Sequence, residues 1–309
     1  MTLAHDMSLP EALKESLASR FGDDLRFDEP MAKHTSWRVG GPAAVLFQPR
    51  DFESLSAFLR ALPLEVPVHW VGLGSNLLVR DGGVPGAVIS SKKLPNDLAR
   101  LDEQTVSATV GIPCTTLARQ LVRWGLGPSE FFAGIPGSLG GALTMNAGAH
   151  GSETWDAVVS VRLMHRDGRI ETREASAFDV GYRRVTGQDG AWFIGATLRF
   201  PEDYTPSRER MQALQDKRRD TQPLGLPSCG SVFANPEGDH SARLIEAAGL
   251  KGTRIGGAEV STKHANFIIN TGDASASDIE QLISHVAETV AREHGVTLRH
   301  EVRFLGEAA

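Results

Sequence analysis

Apolar positions recur along this chain with two periods, and where the period changes the expected element changes with it. Leu9, Leu13, Leu17 and Phe21 return every four residues, with Ser8 and Glu11 at capping-box spacing, which predicts a helix over 8–21 that Gly22 ends. From there to about residue 90, short apolar runs at 44–47, 69–71, 77–79 and 87–90 surround one helical pattern at 52–62. Such a mixture describes a small α/β unit. Between about 100 and 200 strands dominate, at 106–110, 158–164, 169–173 and 192–200. A helix at 115–124, stopped by Gly125, and a long glycine loop accompany them.

Phe200 to Pro206 has the proline and polar content of a boundary, and a charged helical stretch follows at 208–219. The last third reads as a helix at 242–248, a strand at 265–270, a helix at 277–294 and a final strand at 296–304. Ser277 and Glu280 are placed as the capping box of the long helix, whose apolar face carries Ile279, Leu282, Ile283, Val286 and Val290. In the final stretch Val296, Leu298, Val302 and Phe304 alternate with Thr297, Arg299, Glu301 and Arg303. The expected division is 1–95, 96–203 and 204–309, an α+β organisation.

With 309 residues, 41% of them hydrophobic, the chain can bury a sizeable core. The formal charge of -6 speaks against a nucleic-acid or anionic-membrane surface, which needs a basic patch. Two cysteines, Cys114 and Cys229, without metal-ligand spacing fit a reducing compartment, and the ten histidines include no spacing that implies a metal. The first twenty residues lack a basic start and an apolar h-region, and no stretch approaches a membrane span. A cytoplasmic protein, monomeric by default, is expected.

The candidate chemistry starts with glycine. The segment from Ala133 to Gly151 holds Gly134, Gly137, Gly140, Gly141, Gly148 and Gly151 among Ser138, Asn146 and small alanines. Such a segment brings backbone N–H groups within reach of phosphate oxygens, although glycine loops are common enough that a mobile loop or a tightly packed crossing is an equal reading. A second turn, Gly72-Leu73-Gly74-Ser75-Asn76-Leu77, follows the apolar run ending at Val71, but the last glycine of GxGxxG would fall on Leu77, which speaks against a Rossmann domain. The chain has neither GxxxxGK[ST] nor HExxH. The other polar clusters are Tyr182 with Arg183, Ser231 near Asn235, Lys263 in STKHANF, and Glu301. Each alone reads as a turn or a solvated strand face.

Taken in order, TSWRVGGPA (35–43), GLGSNLL (72–78), GIPGSLGGALTMNAGAHG (134–151), GYR (181–183), SCGSVFANP (228–236), GGAEVSTKHANFIIN (256–270) and EVRF (301–304) resemble the UDP-N-acetylenolpyruvoylglucosamine reductases. The resemblance implies a vanillyl-alcohol-oxidase (PCMH)-type two-lobed FAD-binding fold with a C-terminal α/β substrate-binding domain. It also implies non-covalent FAD reduced by NADPH, which then gives up its place to the enolpyruvyl UDP-sugar in the same cleft. FAD is expected against Gly72, Leu73, Gly74, Ser75, Asn76, Leu77, Gly134, Ile135, Pro136, Gly137, Ser138, Gly141, Asn146, Ala147 and Gly148. Ser231 is expected as proton donor, with Arg183 and Glu301 holding the substrate carboxylate and stabilising the enol form. Tyr182, Asn235 and Lys263 are expected to bind substrate. The stretch between Arg183 and Ser231 is too short for the family's tyrosine loop, so the shorter class is implied and the closing element is left open. The competing readings are a flavin oxidase or dehydrogenase of the same fold and a non-catalytic nucleotide-binding protein. The presence of Ser231, Arg183 and Glu301 together, and the absence of a histidine or cysteine motif for covalent flavin attachment, speak against the first; a yellow protein with flavin bands bleached by NADPH would eliminate the second.

Overall fold

A computed structural model describes residues 9–309, and its architecture follows from two sheets that share a core and a third that docks on them. The first sheet runs Leu25–Pro30, Pro42–Phe47, Val84–Ser90, Val68–Val71. Pro42–Phe47 is antiparallel to the first of these and parallel to Val84–Ser90, which is in turn parallel to Val68–Val71. Helix α1 (Glu11–Phe21) and helix α2 (Phe52–Ala61) pack beside it. The cap predicted for α1 includes Ser8, which lies outside the described residues; the helix begins after Pro10, whose φ of -51° suits a helix entry. Asp51 caps α2, accepting from Ser54 N at 2.6 Å, and the helix buries Leu55, Phe58 and Leu59. Phe58 stacks on Phe47 with ring centroids 4.0 Å apart. The strand Leu25–Pro30 was not expected, because only Leu25 in LRFDEP is buried.

The second sheet is antiparallel throughout, in the order Ile170–Glu174, Val158–Met164, Trp192–Arg199, Thr105–Thr109, Leu98–Arg100. Helix α3 (Cys114–Trp124) covers it with Leu117, Ala118 and Leu121 and ends on Gly125 at φ 75°. One hydrophobic core runs through both sheets. Cys114 lies in it, and burial pushes its thiol up to about 12; Cys229, equally enclosed, is pushed up to about 12 for the same reason. Thiol reagents at mildly alkaline pH are therefore expected to label neither cysteine in the native protein and both after denaturation. Rapid native labelling in a mass-spectrometric assay would contradict that burial.

Beyond residue 206, helix α5 (Arg208–Thr221) leads to α6 (Ser241–Ala247), the strands Arg254–Ile255, Ala258–Val260 and Ile268–Asn270, and α7 (Ala276–His294). A second core forms between α6, α7 and this sheet, and it takes in Trp37 and Leu78 from the first lobe. The capping box of α7 is Ser275 with Asp278, not Ser277 with Glu280. Both expected residues face the first lobe instead: Ser277 N donates to Asp81 Oδ2 at 2.8 Å, and Glu280 accepts from Arg80 at 2.7 and 3.0 Å. Trp37 Nε1 donates to the Ile268 carbonyl at 2.7 Å and Asn270 Nδ2 to the Trp37 carbonyl at 2.9 Å, closing the same interface.

The expected strand 296–304 is mostly irregular. Leu298 and Val302 are buried as the alternation required, but a strand forms only at Arg303–Leu305, parallel to Leu77–Val79, with a single bridge from His300 to Phe233 before it. The alternation arose from one side resting on the second core, which needs no partner strand. The glycine loop also differs from expectation, since it contains helix α4 (Leu139–Met145). A Cβ on Gly140 would stand 3.0 Å from Val110 Cβ, so the helix lies directly on the neighbouring strand end.

Candidate active site

Two turns face each other across the interior. Gly72–Asn76 joins the strands Val68–Val71 and Leu77–Val79; Gly134–Ser138 runs into α4. A Cβ on Gly72 would lie 3.2 Å from Ser138 Oγ, and one on Gly137 would lie 3.2 Å from Ser75 Oγ. Each glycine therefore keeps open the ground that the other turn's serine borders. Ser138 is 2% exposed, and its Oγ is buried without a hydrogen-bond partner. An orphaned hydroxyl in a cleft between two N–H-bearing turns fits a polar ligand, and a diphosphate satisfies both the hydroxyl and the amides. Gly74 is fixed by geometry: its φ is +73°, a Cβ there would stand 2.0 Å from the His34 carbonyl, and its own carbonyl accepts from Ser36 N at 2.9 Å.

This cradle opens into a cleft of about 290 Å³ that gathers Ser75, Gly137, Tyr182, Arg183, Ser231, Asn235 and Glu301. Ser231 sits on a turn pinned by Asn266, whose Oδ1 accepts from Phe233 N at 2.9 Å and whose Nδ2 donates to the Phe233 carbonyl at 2.7 Å. Asn266 was not among the expected site residues, although its motif was noted. Glu301 N donates to the Val232 carbonyl at 2.7 Å, and Asn76 Nδ2 donates to the Glu301 carbonyl at 3.2 Å, so the Gly72–Asn76 turn and the Ser231 turn both hold the Glu301 backbone. The two polar turns and the C-terminal stretch thus meet at one point.

Arg183 has a left-handed φ of 57°, and its Nε stands 2.7 Å from Glu301 Oε1, although the N–H does not point along that line. Its Nη1 and Nη2 donate to the carbonyls of Asn146 at 3.2 Å and Gly148 at 3.1 Å. Burial pushes the Glu301 carboxyl above the usual carboxylate range, against the pull of Arg183 and Arg299. Burial outweighs the short distance, because the guanidinium commits its terminal N–H groups to the Asn146 and Gly148 carbonyls. The guanidinium also lies 4.8 Å from the Tyr182 ring centroid.

Not every expected residue reaches the cleft. Asn146 is buried at a left-handed φ of 41°, and its amide is spoken for: Nδ2 donates to Glu153 at 2.6 Å and to the Gly181 carbonyl at 3.3 Å, while Oδ1 accepts from Trp155 N. It therefore ties the glycine segment to the Arg183 turn rather than presenting a side chain to the ligand. Lys263 is exposed, and its Nζ donates to the Arg219 carbonyl at 2.6 Å, away from the cleft lining. Asn235 borders the cleft while its Oδ1 accepts from Ser241 N at 3.1 Å. Arg218 and Arg38, by contrast, line a neighbouring opening that shares Ser75, Pro136, Gly230 and Phe267 with the cleft. Arg218 meets Gln222 Oε1 at 2.9 Å. The charged pattern of 208–219 concealed it as a solvated face.

Among the described residues no group of histidine, cysteine or acidic side chains is placed to hold a metal, and no helix is long and apolar enough to cross a membrane.

A family profile described as an FAD binding domain matches residues 42–173, the stretch that supplies both turns. Fold and site together define an FAD-binding oxidoreductase. A second profile, described as the UDP-N-acetylenolpyruvoylglucosamine reductase C-terminal domain, matches residues 222–305. The UDP-N-acetylenolpyruvoylglucosamine reductase of Alkalilimnicola ehrlichii is 54% identical over 92% of this chain and 96% of its own length. That of Methylococcus capsulatus is 53% identical over 98% and 99%. A crystal structure of the enzyme of that name from Thermus caldophilus superposes with a TM-score of 0.75 at 33% identity, covering 90% of this chain and 97% of that one. This chain belongs to the UDP-N-acetylenolpyruvoylglucosamine reductase family.

Proposed function

We propose that this chain reduces the enolpyruvyl ether of a UDP-N-acetylglucosamine enolpyruvate to UDP-N-acetylmuramate, with NADPH as the source of hydride. The observation that carries the reading is the single cleft bringing Ser231 and the Arg183–Glu301 pair to the glycine cradle. The turns Gly72–Asn76 and Gly134–Ser138 would hold FAD, which would supply hydride chemistry between NADPH and the terminal vinyl carbon of the substrate. The carbon bearing the carboxylate then carries enolate charge, which the protein must stabilise and quench with a proton.

Ser231 Oγ supplies that proton. A serine is a weak acid, so the step depends on placement and on the basicity of the intermediate more than on the hydroxyl's free pKa. Arg183 sets a fixed positive charge beside the substrate carboxylate. Glu301, whose carboxyl burial pushes above the usual carboxylate range, stands with Arg183 beside the substrate carboxylate and helps to stabilise the enol form. Asn146 and Asn266 orient Arg183 and the Ser231 turn through the contacts already described. Tyr182 and Asn235 border the substrate's space, and Arg218 with Arg38 offers cations on the side where a nucleotide diphosphate leaves the cleft. The reaction serves cell-wall precursor synthesis in the cytoplasm.

The decisive experiment is anaerobic. The protein is reduced with NADPH, the enolpyruvyl nucleotide sugar is added, and flavin reoxidation is followed by absorbance. Stoichiometric reoxidation with UDP-N-acetylmuramate formed is expected; a flavin that stays reduced overturns the substrate assignment.

Glu301→Gln carries a pH signature. A carboxyl raised above its ordinary value of 4.5 contributes stability that is complete below that value and lost as pH rises through the folded pKa. The melting temperature of Glu301→Gln is therefore expected to gain on the parent as pH rises above about 4.5. Reoxidation by substrate should slow by about 10²-fold while NADPH reduction is spared. Parallel melting curves at every pH would remove the raised pKa.

A further inference from the structure

One buried acid has no part in the chemistry above. Glu130 is 3% exposed beside Phe131, Phe132 and Ala133, on the short helical turn Glu130–Gly134 that runs straight into the glycine cradle. A carboxylate so enclosed destabilises the fold unless hydrogen bonds satisfy it. Its partners come from beyond the 200–206 connection: Oε1 accepts from Tyr204 Oη at 3.2 Å, from Ser207 N at 3.0 Å and from Arg210 Nε at 3.2 Å. Ser129 N donates to Oε2 at 3.1 Å. Burial pushes this carboxyl up, but backbone N–H groups, its own and those of Ser207 and Ser129, together with Arg210 hold it below its usual range. Gly127 makes room for the clamp, since a Cβ there would stand 2.8 Å from carbons of the Tyr204 ring.

These partners form the first turn of α5 and its approach. Ser207 caps the helix, accepting from Arg210 N at 3.0 Å. No residue of α5 is buried, so its place depends on contacts at its ends and on Met211, which rests against the core of the two sheets. At the far end Lys263 Nζ donates to the Arg219 carbonyl at 2.6 Å. A carboxylate at the N-terminus and an ammonium at the C-terminus both complement the helix dipole. The last turn carries Arg218, which borders the neighbouring opening and donates to Gln222 Oε1 at 2.9 Å, and Gln222 lines the Ser231 cleft. Arg218 lies about 16 Å along the axis from the Ser207 cap, so a tilt of about 10° at the clamp moves it by about 3 Å. A displacement of that size breaks a hydrogen bond to a ligand. We propose that Glu130 is a positioning residue for substrate: by fixing the start of α5 it sets Arg218 and Gln222 at the rim where the UDP-sugar binds. The proposal rests on the reductase reading of the cleft and leaves hydride and proton transfer to the groups already named.

The test combines two titrations of the FAD-loaded full chain with a double-mutant cycle. Reoxidation of the NADPH-reduced protein is followed against the concentration of the enolpyruvyl UDP-sugar, and the affinity of the oxidised protein for UDP-N-acetylmuramate is measured by calorimetry. Glu130→Gln should raise the half-saturating concentration and weaken product binding about tenfold, the scale of one charge-assisted hydrogen bond, with the limiting reoxidation rate within about twofold of the parent. Tyr204→Phe removes a single hydroxyl from the clamp, stands in should Glu130→Gln not fold, and should weaken both about threefold. Arg218→Met should reproduce the affinity loss, and adding Glu130→Gln to it should weaken binding little further, because the clamp acts through that side chain. Additive losses in the double variant would mean that Glu130 only supports the fold, and would overturn the proposal. So would a Glu130→Gln or Tyr204→Phe protein that binds product like the parent, or one whose limiting rate falls along with its affinity. A parent protein that the enolpyruvyl sugar does not reoxidise would instead bring down the substrate reading and this assignment with it.

Discussion

In Ser231→Ala, NADPH should bleach the flavin at close to the parent rate, while reoxidation by the enolpyruvyl substrate falls by about 10³-fold, within the span general-acid catalysis supplies. The separation is expected because Ser231 borders the substrate side of the cleft, and its turn is held by backbone and Asn266 contacts that a hydroxyl deletion leaves untouched. Stopped-flow absorbance reads the two half-reactions separately. Solvent-exchange analysis adds a second check: product formed slowly by the variant should still carry one solvent-derived hydrogen, now delivered by water. If both half-reactions fall together, Ser231 is shaping the flavin environment and another group holds the proton.

Gly74→Ala is expected to lose about 3 kcal/mol or more of stability and most of its flavin. A left-handed backbone already costs a non-glycine residue roughly 1–2 kcal/mol. Here the added Cβ also meets the His34 carbonyl at 2.0 Å, and its neighbours at Thr35 and Ser36 cannot retreat without breaking the Ser36–Gly74 hydrogen bond. Gly72→Ala provides the contrast. Its Cβ would meet only side-chain hydroxyls, Ser138 Oγ at 3.2 Å and Ser91 Oγ at 3.9 Å, so flavin occupancy should fall with little change in melting temperature. The 450 nm to 280 nm absorbance ratio and thermal melts of the two variants distinguish a turn that shapes the fold from one that clears space for phosphate; a Gly74→Ala protein melting with the parent would refute the first role.

Much of the fold was legible where one element alone determined the pattern. The helices at 52–61 and 114–124 were placed to within a residue because each buries its own apolar stripe and carries its own stop. The strand Leu25–Pro30 was not, since its polar residues become a strand only by pairing with Pro42–Phe47. Ser277 and Glu280 misled for a related reason. A capping box and a docking contact use the same residue types, and only the position of Arg80 and Asp81 in space decides between them. At the site, Arg183, Ser231 and Glu301 were named from motifs, and their expected roles rest on those motifs with the shared cleft in support. Lys263 looked free on its turn, but the last carbonyls of α5 lie within its reach.

The pairing of Arg303–Leu305 with Leu77–Val79 has a consequence in time. Asn76, at the end of the Gly72–Asn76 turn, accepts from Arg303 N at its carbonyl and donates its side-chain amide to the Glu301 carbonyl, joining residues more than two hundred positions apart. During synthesis, a nascent chain that has already folded both sheets and both glycine turns still presents an unsupported edge at Leu77–Val79. The cradle is finished by residues made more than two hundred positions after its own turn, so the order of translation would delay firm flavin capture until the Glu301 side of the cleft has also been made.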